Sequence, residues 1–189
     1  LARYHGVTTE TVKRLFVDAG AVYLNYDETD ERLLGATRGG NTFTIEQEVR
    51  EIEVDGARGP VKGLRRVVSV RAQIVANLLE MTTENLKAAL AGATVEENGT
   101  HDIITRKLTI EDSDYLKNVA LVGEISGSQE PVICIVKNAL SDGNFSVNTA
   151  DKDEAGLEVT FTGHFDPENL DEEPWEIRFP KITTSGGGS

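Results

Sequence analysis

Between Thr44 and Leu79, apolar and polar residues alternate in two long runs, TFTIEQEVREIEVDG and LRRVVSVRAQIVANLL, joined by ARGPVKG. Strict alternation is the pattern of a strand with two unlike faces, and a Gly/Pro-punctuated join between two such runs predicts a long β-hairpin. In the second run Val68, Val70, Ala72, Ile74, Ala76 and Leu78 share one face. Ser69, Arg71, Gln73 and Asn77 share the other, with Val67 and Val75 as apolar exceptions. In the first run Thr44, Glu46, Glu48 and Arg50 alternate with Ile45, Gln47 and Val49. After Glu51 the parity flips, because Ile52 and Val54 fall where polar residues had been. A β-bulge near Arg50–Glu51 would produce that flip, since one extra residue turns every later side chain to the opposite face. Both runs far exceed the typical strand of about 5–6 residues. A ribbon of this length serves a small domain best by pairing or packing outside its own subunit.

The rest of the chain also reads mainly as β. Gly6 to Val17 predicts a short helix, with Thr8 or Thr9 as cap and Val12, Leu15 and Phe16 on one face. With residues 1–18 it forms an N-terminal arm that needs a docking surface, because so short a helix is marginal alone. Ala19 to Tyr26 predicts a strand. Residues 27–43 read as a long connection around DETDERLLGATRGGN, with no strong period. Long loops in compact domains tend to be functional, and Leu33 and Leu34 suggest that this one packs on something. Met81 to Gly92 is the clearest helix, placed at 82–91: Thr82 or Thr83 caps it, Glu84 suits its N-terminal end, and Leu86, Ala89 and Leu90 form one stripe. Asn98-Gly99 predicts a hairpin turn. Further strands are predicted at His101–Thr105, Lys107–Ile110, Asn118–Ile125, Pro131–Lys137, Phe145–Thr149, Leu157–Phe165 and Trp175–Phe179. The expected fold is mainly β: a β-sandwich or barrel with one flanking α-helix and a long β-hairpin, forming a single domain over 1–182. Residues 183–189, with SGGGS, read as a flexible tail or linker.

Composition narrows the picture. The 189 residues are 39% hydrophobic, enough for one ordinary core. No apolar run approaches the ~18 residues of a transmembrane helix and no signal peptide is visible, while the opening at Leu1 suggests a processed or missing terminus. The net charge is -13, and it deepens along the chain: residues 1–80 carry 11 basic and 12 acidic groups, 81–141 carry 5 and 9, and 142–189 carry 3 and 11. Such a surface argues against tight nucleic-acid binding, which needs clustered Lys and Arg, and suits a surface that repels phosphate. Simple self-repulsion of a soluble acidic protein is the plainer reading. The one concentrated basic patch is the hairpin tip, with Arg58, Lys62, Arg65 and Arg66. It is either a charged edge that discourages aggregation or an ionic contact to an acidic surface of another subunit.

No chemistry stands out. Cys134, the single cysteine, sits in the apolar run PVICIV and reads as a core residue. His5, His101 and His164 lie at no metal-ligand spacing. Asp112-Ser-Asp114 and Asp151-Lys-Asp153 lack the Gly and distal Glu of a calcium loop and read as solvated turns. Asn98-Gly-Thr100 and Asn144-Phe-Ser146 match glycosylation sequons but read as turns. GATRGGN lacks the lysine of a phosphate-binding loop, and no nucleophile motif is present. The residues predict neither an enzyme nor a cofactor, but a β-rich domain built for assembly.

The stretch from Phe16 to Glu80, carried by the segments VDAGAVYLNYDETDERLLGATRGGNTF, EVREIEVDGARGPVKGLRR and NLLEMTTENLKAALAG, resembles the major tail tube proteins of long-tailed bacteriophages, especially those of Gram-positive hosts. Strand, Gly-rich loop, long hairpin and helix occur in the family's order. The resemblance implies hexameric rings whose long strands join edge to edge into a lumenal barrel. The rings would stack into a tube through a long loop and terminal arms. Implied partners are further copies of the chain, a tape-measure protein and tail-tip or terminator proteins, with double-stranded DNA passing through without specific binding and no membrane. The implied location is the virion tail, and the host cytoplasm during assembly. On this reading Glu46, Glu48, Glu51 and Glu53, with Ser69, Arg71, Gln73 and Asn77 on the second strand, are candidate lumen residues. Arg71 is the awkward member, since it attracts phosphate unless paired. Leu33, Leu34 and Arg38 in the loop, and Arg58, Lys62, Arg65 and Arg66 at the tip, are candidate contacts between rings or subunits. The alternative is a monomeric β-barrel that binds a small apolar ligand.

Overall fold

The computed structural model describes residues 6–8, 10–143, 145–150 and 153–181. His5, the first five residues, the tail at 183–189, and parts of Asn144-Phe-Ser146 and Asp151-Lys-Asp153 lie outside the described residues. Eleven strands and one α-helix are described: β1 (Phe16–Leu24), β2 (Arg32–Leu33), β3 (Thr37–Glu51), β4 (Arg65–Leu78), α1 (Thr83–Ala89), β5 (Ala93–Glu97), β6 (Asp102–Arg106), β7 (Leu116–Ile125), β8 (Val132–Ser141), β9 (Val147–Ala150), β10 (Asp153–Thr162) and β11 (Trp175–Arg178). The fold is mainly β, as the alternation predicts.

Nine strands form one antiparallel sheet, ordered β2-β1-β7-β8-β10-β4-β3, with β11 beside β8 and β9 beside β10. Its two halves are joined by only two pairings, Phe161 with Ser141 and Thr162 with Leu140. The sheet therefore turns a corner there and folds over itself. Val22, Leu24, Val119, Leu121 and Val136 from one half meet Ala72, Ile74, Ala76, Leu78, Leu157, Val159 and Phe161 from the other in one core. At the far side β1 and β3 approach, and the Asn41 amide donates to the Gly20 carbonyl at 3.4 Å. No ladder forms between those strands, so the sheet is not a closed barrel. The hairpin β5–β6 stands apart as a small second sheet, turning at Asn98-Gly99, where Gly99 has φ +65°.

Several expectations are corrected. The helix over Gly6–Val17 is only a 3-10 turn at Thr11–Lys13, and β1 begins at Phe16. Val12, Leu15 and Phe16 stay about half exposed or more, so no buried stripe rewards a helix. Ser126 captures the segment instead: its hydroxyl donates to the Val12 carbonyl and accepts from the Leu15 amide, and its own amide donates to the Leu15 carbonyl at 3.0 Å. The connection over 27–43 contains β2 and the start of β3. Gly39 and Gly40, at φ +85° and +89°, lie where the β3–β4 register shifts between Thr37 and Asn41. The helix over 82–91 is shorter, Thr83–Ala89, with Thr82 capping as expected through the Asn85 amide at 3.1 Å. Residues 107–110 are not a strand.

The predicted hairpin is formed by β3 and β4, and its bulge lies elsewhere. Glu48 pairs with Ser69 and Val49 with Val67, so the extra residue is Val68 on β4. Ile52 and Val54 change face for a different reason: β3 ends at Glu51.

Candidate functional site

The hairpin is the feature that the rest of the fold supports but does not cover. β10 pairs with β4 only from Gln73 to Leu78. Among the described residues, β4 from Arg71 to Arg65 pairs with β3 alone, so the ribbon runs on about 20 Å past the third strand at ~3.4 Å per residue. The inner face of its base explains its order: Ala72, Ile74, Ala76 and Leu78 are buried in the core, opposite Ile45 and Phe43.

The outer face of the same half-sheet is polar apart from Val75. Register sets side chains in rows: Thr42–Val75–Thr160, Thr44–Gln73–Thr162, Glu46–Arg71, Glu48–Ser69 and Asn77–Glu158. Ser69 donates to Glu48 at 3.4 Å. Arg71 is held by Asp142 at 3.4 Å. With its amide oxygen turned toward the guanidinium, Gln73 accepts from Arg71 Nη2 at 3.0 Å and Nε at 3.2 Å. Thr162 donates its hydroxyl to Asp142 at 2.6 Å. The one cation in these rows is thus paired with a carboxylate, that of Asp142.

Six of the eight candidate lumen residues share this face: Glu46, Glu48, Ser69, Arg71, Gln73 and Asn77. Glu51 falls on the opposite parity and pairs with Arg65 at 3.4 Å. Glu53 lies beyond the end of β3. The contact candidates divide as well. Leu34 is buried in the core, so it cannot anchor a neighbour and is corrected to a structural residue. Leu33 is half exposed on β2, across from Tyr23. Arg38 is exposed near the start of β3, and Arg58 and Lys62 are exposed in the tip loop. Arg66 stands directly across from Arg50 and donates to the carbonyls of Gly63 (3.4 Å) and Arg65 (3.0 Å).

Sequence reasoning missed Glu158, Thr160 and Thr162, although they alternate with Leu157, Val159 and Phe161 and the pattern was there to read. The role of Asp142 is not legible either, because it depends on a strand 71 positions away.

Elsewhere the reactive side chains have local partners. Asp112–Asp114 is a 3-10 turn closed by reciprocal capping between Glu111 and Asp114. Lys107 bridges Glu111 at 2.9 Å and Asp114 at 3.1 Å. The Glu111 amide, and then Lys107, hold the Asp114 carboxyl below its usual range. Burial pushes the Cys134 thiol up, and Cys134 packs against the core. His164 stacks edge-on with Tyr115 at 5.2 Å. Among the described residues no group of three His, Cys, Asp or Glu could hold a metal, and no helix is long and apolar enough to cross a membrane. A cleft of about 790 Å³ opens between α1, β5 and the β7–β8 strands, lined by Arg32, Lys87, Tyr115 and Leu116 among others. The sequence matches no protein-family model and no curated protein at a significant level.

Proposed function

We propose that the chain is a structural subunit of a phage tail tube, assembling into stacked hexameric rings that conduct DNA into a host. The observation that carries this reading is the half-sheet β9-β10-β4-β3, which among the described residues ends in a two-stranded ribbon, with β3 as its last strand. An open edge is a liability in a lone subunit, and closing it against the next copy in a ring removes it. Repeating one heterologous contact around an axis closes a ring, and stacking then extends it without limit.

The outer face supports a lumenal role. Hydroxyls, amides and carboxylates line it, and its arginine is already engaged by Asp142. From Thr42 to Glu48 such a face offers phosphate little counter-charge, so DNA would slide past that part and not adhere; the Arg50–Arg66 row lies beyond it, toward the tip. The alternative of a small-ligand carrier has less support, because the sheet is not a closed barrel and the space between its halves is filled by side chains such as Phe161, Ile74 and Leu157.

Replacing residues 50–66 with an Asn-Gly turn tests the reading. It joins the paired Val49 and Val67 directly and leaves the core untouched. The shortened chain should fold, with native-like circular dichroism and a cooperative melt, yet form no rings or tubes. Tubes from the shortened chain would overturn the ribbon's role.

A further inference from the structure

The ribbon beyond Glu48 is not just a polar strand pair. Val49, Ile52, Val54, Val61, Val67 and Val68 are each more than a third exposed there. A two-stranded ribbon exposing that many branched apolar side chains is marginal alone and marks an interaction surface. Its charge is also unusual for this chain. Residues 49–68 carry five basic and three acidic groups in a protein of net charge -13. Arg50 lies directly across from Arg66, a like-charge pair that costs stability unless something acidic approaches.

A complementary surface exists on the same chain. The segment between β10 and β11 contains Asp166, Glu168, Asp171, Glu172 and Glu173, with no basic residue among positions 165–173. Its backbone is fixed by short-range bonds: Asn169 amide to Asp166 carbonyl at 3.0 Å, and Glu168 amide to the Asp166 carboxylate at 2.8 Å. Glu172 engages Lys137, and Glu173 accepts from the Trp175 indole at 3.1 Å. Glu168 and Asp171 are exposed beside Leu170, which is 68% exposed, and Phe165, at 37%. A firmly held loop therefore presents acids around an apolar tip.

We propose that the ribbon of one copy docks on the Asp166–Glu173 loop of a second copy, with Arg58, Lys62 and Arg66 facing Glu168 and Asp171, and with valines of the ribbon against Leu170. Mixed signs on the ribbon (Glu51, Glu53 and Asp55 among the bases) and its apolar content fit a protein surface better than a nucleic acid, which selects for dense positive charge. The docking rests on the assembly reading above, because both surfaces belong to one repeating subunit.

Disulfide trapping separates the two ideas. In a Cys134→Ala background, a tagged Val67→Cys copy is mixed with a differently tagged Leu170→Cys copy under mild oxidation. A mixed disulfide is expected. Arg58→Glu, Lys62→Glu and Arg66→Glu on the ribbon copy should cut its yield about tenfold, the scale of close charge pairs at interfaces. Glu168→Lys with Asp171→Lys on the loop copy should restore it. Tubes from the parent chain without any mixed disulfide would overturn the docking and leave the tube reading standing. A mixed disulfide from a chain that never grows past small oligomers would support the docking and sink the tube reading. Absence of both would defeat both. Retardation of duplex DNA that the ribbon charge reversals abolish would also overturn the docking, by giving the ribbon a different partner.

Discussion

Asn85 ties three stretches of chain together. Its amide nitrogen donates to the carbonyls of Leu34 (2.8 Å) and Glu80 (3.2 Å), and its oxygen accepts from Arg32 at 2.7 Å. Asn85→Ala leaves the buried Leu34 carbonyl without its side-chain donor and should cost about 2–3 kcal/mol. A lowered urea midpoint at unchanged slope would register that loss. Little of this was legible. The helix reading found Leu86 and Ala89 by their spacing, but a buried asparagine looks like any surface polar residue until its partners are in place. Asp114 and Glu176 act at the same scale. The Glu111 amide and Lys107 depress the first, and Arg178, with Lys137 behind it, depresses the second. Folded values below the unfolded ones mean that their contribution is complete above the ordinary carboxylate range near pH 4 and is lost as pH falls through the depressed values. The melting temperature should therefore drop on acidification below about pH 4, and Asp114→Asn should flatten that drop. A drop of unchanged steepness in Asp114→Asn would remove Asp114 from the account.

At the scale of elements, side-chain period decided what could be read. β4 was legible because seven residues alternate between core and outer face from Ala72 to Leu78. The start of β3 was hidden, since Gly39 and Gly40 carry no side chain to show a period, and β2 has only two residues. The N-terminal segment misled for the opposite reason: its apolar spacing suits a helix, but the chain is taken up by the β7–β8 turn. Gly127 makes that possible, because a Cβ there would collide with the Lys13 carbonyl oxygen. Gly127→Ala should unseat residues 10–15 and release the Leu15 and Ser126 amides to hydrogen exchange, with core amides unchanged. Full protection at both amides would show that the segment is held some other way. The ribbon makes a different prediction. Arg65→Glu with Arg66→Glu should hinder tube growth while leaving stability within about 1 kcal/mol, since neither residue touches the core. Tubes of normal length would count against the tip.

For the molecule as a whole, the sequence carried the class of fold and the length of its hairpin. Which face of the hairpin meets the core depends on its register. The register resolves this: the face with Ile45, Ala72 and Ile74 turns inward, so Glu46 and Glu48 turn out. Glu51 left the candidate site because it falls on the opposite parity to Glu46 and Glu48, Glu53 because β3 ends before it, and Leu34 because it is buried in the core. Among the described residues, the half-sheet with β1, β7 and β8 packs one face into the core, and the half-sheet with β4 and β3 extends past it as a two-stranded ribbon.

Negative-stain electron microscopy of the purified chain at low and high concentration, paired with its mass in solution, tests the central claim most directly. The account predicts rings or hollow tubes that grow with concentration, and a mass that departs from the monomer at the same point. A strict monomer at every concentration, unchanged when a tail-tip initiator complex is added, would contradict it.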